Sequence, residues 1–191
     1  MRIVAGQFRG RALATPSQDQ GLDGLRPTSD RVRESVFNIL THGIEDFSLS
    51  SARVIDLFAG TGALGLEAIS RGAAYCLFVE ESAEARALIR RNVETFGLTG
   101  ETRIFRRDAT DLGPAGKADR YSLAFLDPPY GKGLGEKALS GLAGGNWLNP
   151  GAICVLEERA GTDIAVPAAF TLLDTRSWGE TEVRFLRFNA S

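Results

Sequence analysis

The sequence has few of the residues that build metal centres, disulfides or histidine-based active sites. It contains one histidine and two cysteines among 191 residues. Cys76 and Cys154 lie in separate apolar runs, without a CxxC pair or a Cys/His cluster, which predicts two buried thiols, no disulfide and no metal. His42 falls at the end of a predicted helix, where a cation favours the helix dipole, so we expect no acid–base role for it.

The chain also lacks a hydrophobic run long enough to cross a membrane. Its longest uninterrupted apolar run, residues 73–79, is far shorter than the ~20 residues that a spanning helix needs. The start of the chain has no signal-peptide hydrophobic region. With 43% hydrophobic residues, the sequence predicts a single core. We expect a cytoplasmic monomer that does not bind a membrane.

Charge is distributed unevenly along the chain. The formal net charge is −2, yet residues 1–33 hold six arginines against three aspartates and carry +3, so the rest of the chain carries −5. This asymmetry predicts a basic arm on an acidic domain, and a solvated basic N-terminus is the alternative. Phe8, beside Arg9, could stack on a nucleic-acid base or belong to the core.

A glycine-rich turn follows the first strongly apolar run. Residues 53–65 read RVIDLFAGTGALG, in which Gly60, Gly62 and Gly65 have the spacing G-x-G-x-x-G that lets the backbone approach a ligand closely. The spacing alone fits a plain strand-to-helix turn equally well. Asp56 is the one charge in the preceding strand; it would repel a pyrophosphate but suits the ammonium group of a cationic cofactor.

A second motif, DPPY, follows the apolar run 121–126. Pro128 and Pro129 cannot continue a central strand, so a rigid loop begins there. The carboxyl ends of parallel strands meet at one edge, so we expect this loop and the glycine turn to face one pocket. Asp127 and the Pro128 carbonyl would accept the two N–H groups of an exocyclic amine, while Tyr130 stacks on an unpaired base. The pair of motifs resembles S-adenosylmethionine-dependent methyltransferases that act on exocyclic amines.

Two further acids are expected at strand ends. Glu80 lies 18 residues beyond Gly62, near the ~20-residue distance at which an acid meets ribose hydroxyls, and Glu81 competes for this role. Asp108, followed by Ala109, either accepts a hydrogen bond from an adenine amino group or caps the next turn. The residues predicted to bind the cofactor at these strand ends are Asp56, Phe58, Ala59, Gly60, Gly62, Glu80, Asp108 and Ala109. The predicted catalytic residues are Asp127, Pro128, Pro129 and Tyr130.

The remaining pattern alternates strands and helices. Predicted helices cover residues 30–42, 63–71, 84–96 and 136–142. Predicted strands cover residues 54–58, 75–79, 102–106, 121–126, 152–157, 170–174 and 181–188. This order predicts an α/β fold with seven mostly parallel strands that end in a hairpin-like pair. The resemblance of the two motifs implies that this fold is a Rossmann-like class I methyltransferase. We divide the chain into a basic N-terminal extension with its helix, residues 1–45, and a methyltransferase domain, residues 46–191.

With these motifs in place, the sequence resembles the RsmD family of bacterial ribosomal RNA methyltransferases. The resemblance rests on the GxxRGR start at residues 6–11, the arginine-rich segment 26–38, DLFAGTGALGLEA and DPPY, in that order over roughly the first 130 residues. The sequence departs from the family pattern at Asp19 and Asp23, and at Trp178, where tyrosine is expected.

The resemblance implies S-adenosylmethionine as the methyl donor and N2 of a guanine in 16S ribosomal RNA, within a small-subunit assembly particle, as the acceptor. It implies that Thr28 approaches the methionine moiety. It also implies that the RNA or cofactor mouth is lined by Arg9, Arg11, Arg26, Arg31 and Arg33. The alternatives are an amine methyltransferase acting on DNA adenine N6 or another RNA, a dinucleotide-dependent oxidoreductase, and an RNA-binding module without catalysis.

Overall fold

The structure, a computed structural model, describes residues 1–16 and 29–190. Within those residues, no helix combines the length and apolarity needed to span a bilayer. The helices are α1 Asp30–His42, α2 Ala63–Ser70, α3 Ala83–Phe96 and α4 Leu134–Gly144. The strands are β1 Arg53–Leu57, β2 Tyr75–Val79, β3 Thr102–Phe105, β4 Tyr121–Leu126, β5 Leu148–Arg159, β6 Phe170–Trp178 and β7 Thr181–Phe188.

Local signals fix the ends of the longer helices. The Ser29 hydroxyl accepts a hydrogen bond from the Val32 N–H at 3.2 Å and caps α1, a role that serine favours. Ser82 caps α3 in the same way, and α3 ends at Gly97, whose φ of 70° is left-handed. Helix termini leave backbone groups without intrahelical partners, so these caps decide where each helix begins and ends.

The seven strands form one sheet in the order β3-β2-β1-β4-β5-β7-β6. Strands β1 to β5 are parallel, while β7 lies between β5 and β6 and is antiparallel to both. The predicted mostly parallel sheet with a final hairpin-like pair is therefore confirmed. Strands β1, β2 and β3 are added in sequence towards one edge of the sheet, and β4 begins the other half on the opposite side of β1. Open α/β sheets bind ligands at such a switch point between two neighbouring strands, here β1 and β4.

Two layers of hydrophobic side chains cover the sheet. On one face, Val54 of β1 belongs to the layer formed with α1, α2 and α3. On the other face, Ile55 belongs to the layer formed with α4. Ile3 and Leu13 join the first layer, so residues 1–16 share a core with the sheet. The functional division at residue 45 stays a prediction.

A buried ionic cluster fastens the N-terminal segment to α2. Glu67 is 0% exposed, and its carboxylate accepts hydrogen bonds from the Val4 N–H at 2.8 Å and the Ala5 N–H at 3.0 Å. Its cationic neighbours are Arg71, at 2.8 Å, and Arg33, at 3.5 Å. Because a buried charge is stable only when it is paired and hydrogen-bonded, the cluster holds the segment in one position.

Element bounds differ from the predictions mainly in the second half of the chain. Strand β5 covers Leu148–Arg159 and β6 covers Phe170–Trp178, both longer than the hydrophobic runs that predicted them. A short 3-10 helix, Thr99–Glu101, was not predicted. Antiparallel pairing with β7 extends β6 and the far end of β5 through polar residues, while the start of β5 pairs with β4. Backbone hydrogen bonding of this kind leaves no hydrophobic pattern in the sequence.

Candidate active site

The glycine turn and the DPPY loop leave neighbouring strands at the same edge of the sheet. Leu57 of β1 and Leu126 of β4 are register partners in a parallel pair. The residues that follow them, Phe58 and Asp127, therefore emerge side by side from strands about 4.8 Å apart. The prediction that the two motifs meet at the carboxyl edge is confirmed.

Three left-handed residues shape the glycine turn. The φ angles are 57° at Phe58, 57° at Gly60 and 78° at Gly62, and the Gly62 N–H closes the turn on the Ala59 carbonyl at 2.8 Å. Glycine adopts such angles at no steric cost, whereas phenylalanine does not. A strained non-glycine residue in a ligand-facing turn is the kind of feature that functional sites retain.

Gly65 has a different role from the other two glycines of the motif. A Cβ on this residue would lie 2.5 Å from the Cys76 sulfur and 2.5 Å from the Phe78 ring. Both neighbours belong to β2, so α2 approaches the sheet more closely than any side chain would allow. The last glycine of the spacing therefore serves helix-to-strand packing rather than the turn itself.

Asp56 lies beneath the first turn of α2. It is 1% exposed, and its carboxyl Oδ2 accepts a hydrogen bond from the Gly65 N–H at 3.0 Å. The pKa of Asp56 is raised to about 8, chiefly by burial; the Gly65 hydrogen bond opposes this shift, and the charge of Glu80 adds to it. The structure thus gives this carboxyl a partner at the helix start, and its predicted contact with a methionine ammonium stays a prediction.

Glu80 connects the glycine turn to the second strand. Its carboxylate accepts from the Gly60 N–H at 2.9 Å and from the Ser82 N–H at 2.8 Å. The competing residue, Glu81, has no comparable contact with the glycine turn; its carbonyl accepts a hydrogen bond from Arg86. Glu80 is therefore the acid that faces the turn, and its proposed contact with ribose hydroxyls stays a prediction.

Asp108 follows β3 and adopts the turn-capping geometry that the sequence left open. Its Oδ1 accepts from the Thr110 N–H at 2.8 Å and from the Thr110 hydroxyl at 2.7 Å. The side-chain hydrogen bond, followed by the backbone one, holds the pKa of Asp108 below its ordinary value. Ala109 is buried in the core. A contact of either residue with adenine stays a prediction.

Each of four neighbouring parallel strands thus has an acidic residue within the strand or just after its C-terminal end. These residues are Asp56, Glu80, Asp108 and Asp127, in or after β1, β2, β3 and β4. Carboxylates accept hydrogen bonds from hydroxyl and amino groups and attract cations, but they repel phosphates. The residues present fit a cationic nucleoside such as S-adenosylmethionine and do not fit the pyrophosphate of a dinucleotide.

The DPPY loop is held by residues that were not among the predicted site residues. Asp127 is half-buried at the end of β4. The Tyr130 hydroxyl donates to Glu157 Oε1 at 2.6 Å and lies 3.3 Å from the Thr181 hydroxyl. Burial, and then the Glu157 carboxylate, raises the pKa of Tyr130 above its ordinary value of 10.0. The sequence signal that could have identified Glu157 is the pair of adjacent acids, Glu157 and Glu158, at the end of an apolar run.

The N-terminal arginines Arg9 and Arg11 are exposed. Arg11 donates a hydrogen bond to the Thr95 carbonyl of α3 at 2.8 Å, and its guanidinium lies 4.6 Å from the centre of the Phe96 ring. Phe8 stacks on Phe96 with ring centres 5.1 Å apart and is 8% exposed. Of the two alternatives for Phe8, the core aromatic is the correct one.

The other predicted RNA-contacting residues have different outcomes. Arg31 is exposed on α1. Arg33 is 0% exposed and binds Asp30 Oδ1 at 2.8 Å, so its predicted position at the RNA mouth is wrong. It lies on the helix face that α1 packs into the core, three and four residues before apolar positions. Arg26 and Thr28 lie outside the described residues.

Comparison with known proteins gives consistent matches. The chain matches the model of a family described as conserved hypothetical protein 95 over residues 1–187. The ribosomal RNA small subunit methyltransferase D of Escherichia coli is 35% identical over 191 residues, which are 100% of this chain and 91% of the relative. The solved structure of the yhhF protein of Escherichia coli has a TM-score of 0.83 and 31% identity, and covers 100% of this chain and 99% of its own.

The fold is also shared with a more distant enzyme. An RNA methyltransferase from Salinibacter ruber, solved in complex with S-adenosyl-L-homocysteine, has a TM-score of 0.65 at 15% identity and covers 86% of this chain and 95% of its own. The predicted α/β, Rossmann-like methyltransferase fold is therefore confirmed. On the family model and the full-length relative together, this chain belongs to the RsmD family of small-subunit ribosomal RNA methyltransferases.

Proposed function

We propose that this protein transfers a methyl group from S-adenosylmethionine to the exocyclic N2 of a guanine in 16S ribosomal RNA. The observation that carries the proposal is the DPPY loop beside the glycine turn at one sheet edge, in a member of this family. The relative from Escherichia coli is named for methylation of small-subunit ribosomal RNA, and the arginines at the start of this chain suit the same polyanion.

The cofactor side of the site is formed by the C-terminal ends of β1, β2 and β3 and by the residues that follow them. S-adenosylmethionine, when bound, supplies an activated methyl group on a cationic sulfur. Glu80 is in position to accept from ribose hydroxyls while it holds the Gly60 N–H. Asp56 provides negative charge under the turn once it is ionised, and the turn's backbone approaches the ligand because Gly60 and Gly62 have no side chains.

The substrate side is the DPPY loop. The Asp127 carboxylate and the Pro128 carbonyl accept the two N–H groups of the guanine amine, which favours a lone pair localised on the nitrogen. The consecutive prolines restrict the backbone and keep the two acceptors at a fixed separation. Tyr130 stacks on the base, which requires a guanine that is unpaired or flipped out. Asp127 takes the proton that the amine loses.

The RNA backbone is bound by the arginine-rich surface at the start of the chain. Arg9 and Arg11 belong to a short hairpin in which Arg2 and Ala12 form an antiparallel bridge. With Arg31, they offer exposed guanidiniums that bind phosphates in a sequence-independent way. We place the protein in the cytoplasm, as a monomer acting without a metal on a small-subunit assembly particle.

A methyl-transfer assay with mapping of the product tests the proposal. Wild-type protein is incubated with radiolabelled S-adenosylmethionine and small-subunit particles that lack the modification, with naked 16S RNA and DNA in parallel. We expect label on N2 of a single guanine in the particles. Label confined to an adenine or to DNA, or no label in any nucleic acid, would contradict the proposal.

The variant Asp127→Ala tests the assigned chemistry. We expect its turnover to fall by about 10²–10³-fold, because one of two preorganised acceptors is lost. Its affinity for S-adenosylhomocysteine, measured by calorimetry, should stay close to that of wild type. Near-normal turnover would remove Asp127 from the mechanism.

A further inference from the structure

Strand β5 continues beyond the point where its neighbour β4 ends. Leu156 of β5 is the register partner of Leu126, the last residue of β4, but β5 runs on to Arg159. On the side of β4, the next residues of β5, Glu157 and Glu158, therefore lie alongside the DPPY loop, while β7 pairs with them on the other side. They are 9% and 2% exposed, so both acids are buried at the edge of the candidate active site.

Each of these acids contacts the loop at a different point. Glu157 Oε1 accepts from the Tyr130 hydroxyl at 2.6 Å, and Glu158 Oε1 accepts from the Gly131 N–H at 3.1 Å. Successive side chains of a strand point to opposite faces. The preceding pair follows this rule, since Val155 belongs to one core layer and Leu156 to the other. Glu157 and Glu158 thus reach the loop from the two faces of the sheet.

The loop needs such contacts because its own backbone cannot supply them. Pro128 and Pro129 have no N–H group, so the loop cannot continue the hydrogen-bond ladder of β4. Buried carboxylates in turn need donors, and hydrogen bonds to an ionised acceptor are stronger than neutral ones. The Tyr130 hydroxyl stays protonated, and so remains a donor, because burial and the carboxylate of Glu157 both raise its pKa.

We propose that Glu157 and Glu158 are positioning residues for methyl transfer, Glu157 fixing the ring of Tyr130 and Glu158 fixing the backbone that follows it. The inference rests on the proposed function, because it assigns the Tyr130 ring to the substrate base. Neither acid contacts the reacting atoms. They act by keeping the DPPY loop in the geometry that the base requires, and small displacements of such groups reduce rates by up to about a hundredfold.

A double-mutant cycle on the first contact tests the proposal. We expect Tyr130→Phe and Glu157→Ala each to lower kcat by about ten- to a hundredfold, with the KM for S-adenosylmethionine within about twofold of wild type. The double variant should be no slower than the slower single variant, because both remove the same hydrogen bond. Glu157→Gln keeps an acceptor oxygen and should recover most of the rate lost in Glu157→Ala.

The second contact has its own variant and a matched control. Glu158→Ala should lower kcat in the same way, because the Gly131 N–H loses its acceptor. The control is Glu182→Gln on β7, an acid that pairs with Arg184 and Ser177 rather than with the loop. We expect it to leave kcat unchanged. Thermal unfolding of each variant identifies any that loses activity by unfolding.

A measurement without substrate separates this inference from the proposed function. Ionisation of Tyr130 is followed by phenolate absorbance, with Tyr130→Phe identifying its contribution. In Glu157→Ala, Tyr130 should ionise at a lower pH than in wild type, because the neighbouring negative charge is gone. If wild type methylates no RNA, the proposed function fails while this titration still tests the contact. Unchanged ionisation in Glu157→Ala, wild-type kcat in that variant, or additive effects in the cycle would overturn the inference.

Discussion

The carboxyl group of Asp56 is buried against the first turn of α2 and lies beneath the glycine turn. In the protein its pKa is raised from 3.8 to about 8, so near neutral pH the folded state keeps a proton that the unfolded chain has released. The contribution of Asp56 to stability is therefore complete below the ordinary pKa of the carboxyl, and it is lost as the pH rises towards about 8. A cationic ligand would favour the ionised form.

The variant Asp56→Asn should lose this pH dependence. The asparagine keeps an oxygen for the Gly65 N–H and has no proton to release. We expect the free energy of unfolding of the variant, relative to wild type, to increase by about 5 kcal/mol as the pH rises from about 4 to 8, because each unit of pKa shift corresponds to about 1.4 kcal/mol. Urea titrations across this range, without ligand, measure the difference. Parallel pH profiles for the two proteins would show that Asp56 ionises normally.

Single residues could be predicted where a motif and a strand end coincide. Asp127 and Glu80 were selected because each follows an apolar run, and both lie at the carboxyl edge. Arg33 was misplaced because a family motif took precedence over the helix period, although Val36 and Phe37 lie three and four residues further on. Glu157 was missed because a buried acid gains its meaning only from Tyr130, which is distant in the sequence.

The N-terminal hairpin is the element for which RNA binding makes the clearest prediction. We expect Arg9→Ala and Arg11→Ala each to weaken binding to 16S RNA by several-fold and to reduce the slope of log affinity against log salt by about 0.7–0.9. Filter binding at several salt concentrations measures both quantities. Arg176→Ala is the control, because this exposed arginine pairs with Asp174 on β6.

Two outcomes would argue against this role of the hairpin. Equal losses in Arg9→Ala and Arg176→Ala would indicate a general charge effect, since each variant removes one positive charge. A weakening in Arg11→Ala alone would indicate loss of packing instead, because Arg11 also covers the Phe8 and Phe96 rings. Thermal unfolding of Arg11→Ala distinguishes that case.

Elements were predicted well where a hydrophobic run equals the strand. β2, β4 and β7 occupy the residues that the sequence predicted, because each run is bounded by turn residues or prolines. β6 was predicted too short, since most of its side chains are exposed and pairing with β7 holds it in the sheet. Hydrophobic patterns in a single sequence indicate which residues are buried. The length of a strand that is held mainly by backbone hydrogen bonds to its partner is therefore underestimated.

At the scale of the whole molecule, Glu67 joins the start of the chain to the body of the fold. We expect Glu67→Ala to lower the free energy of unfolding by about 3–5 kcal/mol, because it leaves buried donors and the Arg33 guanidinium without this acceptor. Amide exchange at Val4 and Ala5 should accelerate more than exchange in β1. Urea unfolding and hydrogen exchange measure the two effects.

The exposed acid Glu101 provides the comparison, since Glu101→Ala removes a carboxylate that lies on the surface. A loss below about 1 kcal/mol in Glu67→Ala would mean that the segment is held mainly by its other contacts, which are the packing of Ile3 and Phe8 and the hydrogen bonds to Ser70. Uniform acceleration of exchange would instead show that residues 1–16 and the sheet unfold together. That outcome would favour one cooperative unit over the division at residue 45.

The place of β7 in the sheet has a consequence for the timing of synthesis. β7 follows the other six strands in the chain, yet it inserts between β5 and β6 and brings the Thr181 hydroxyl within 3.3 Å of the Tyr130 hydroxyl. A nascent chain that has already made its glycine turn and its DPPY loop still lacks this neighbour. Tyr130 therefore gains its Thr181 contact, and β5 and β6 gain the strand that joins them, only once translation has passed β7.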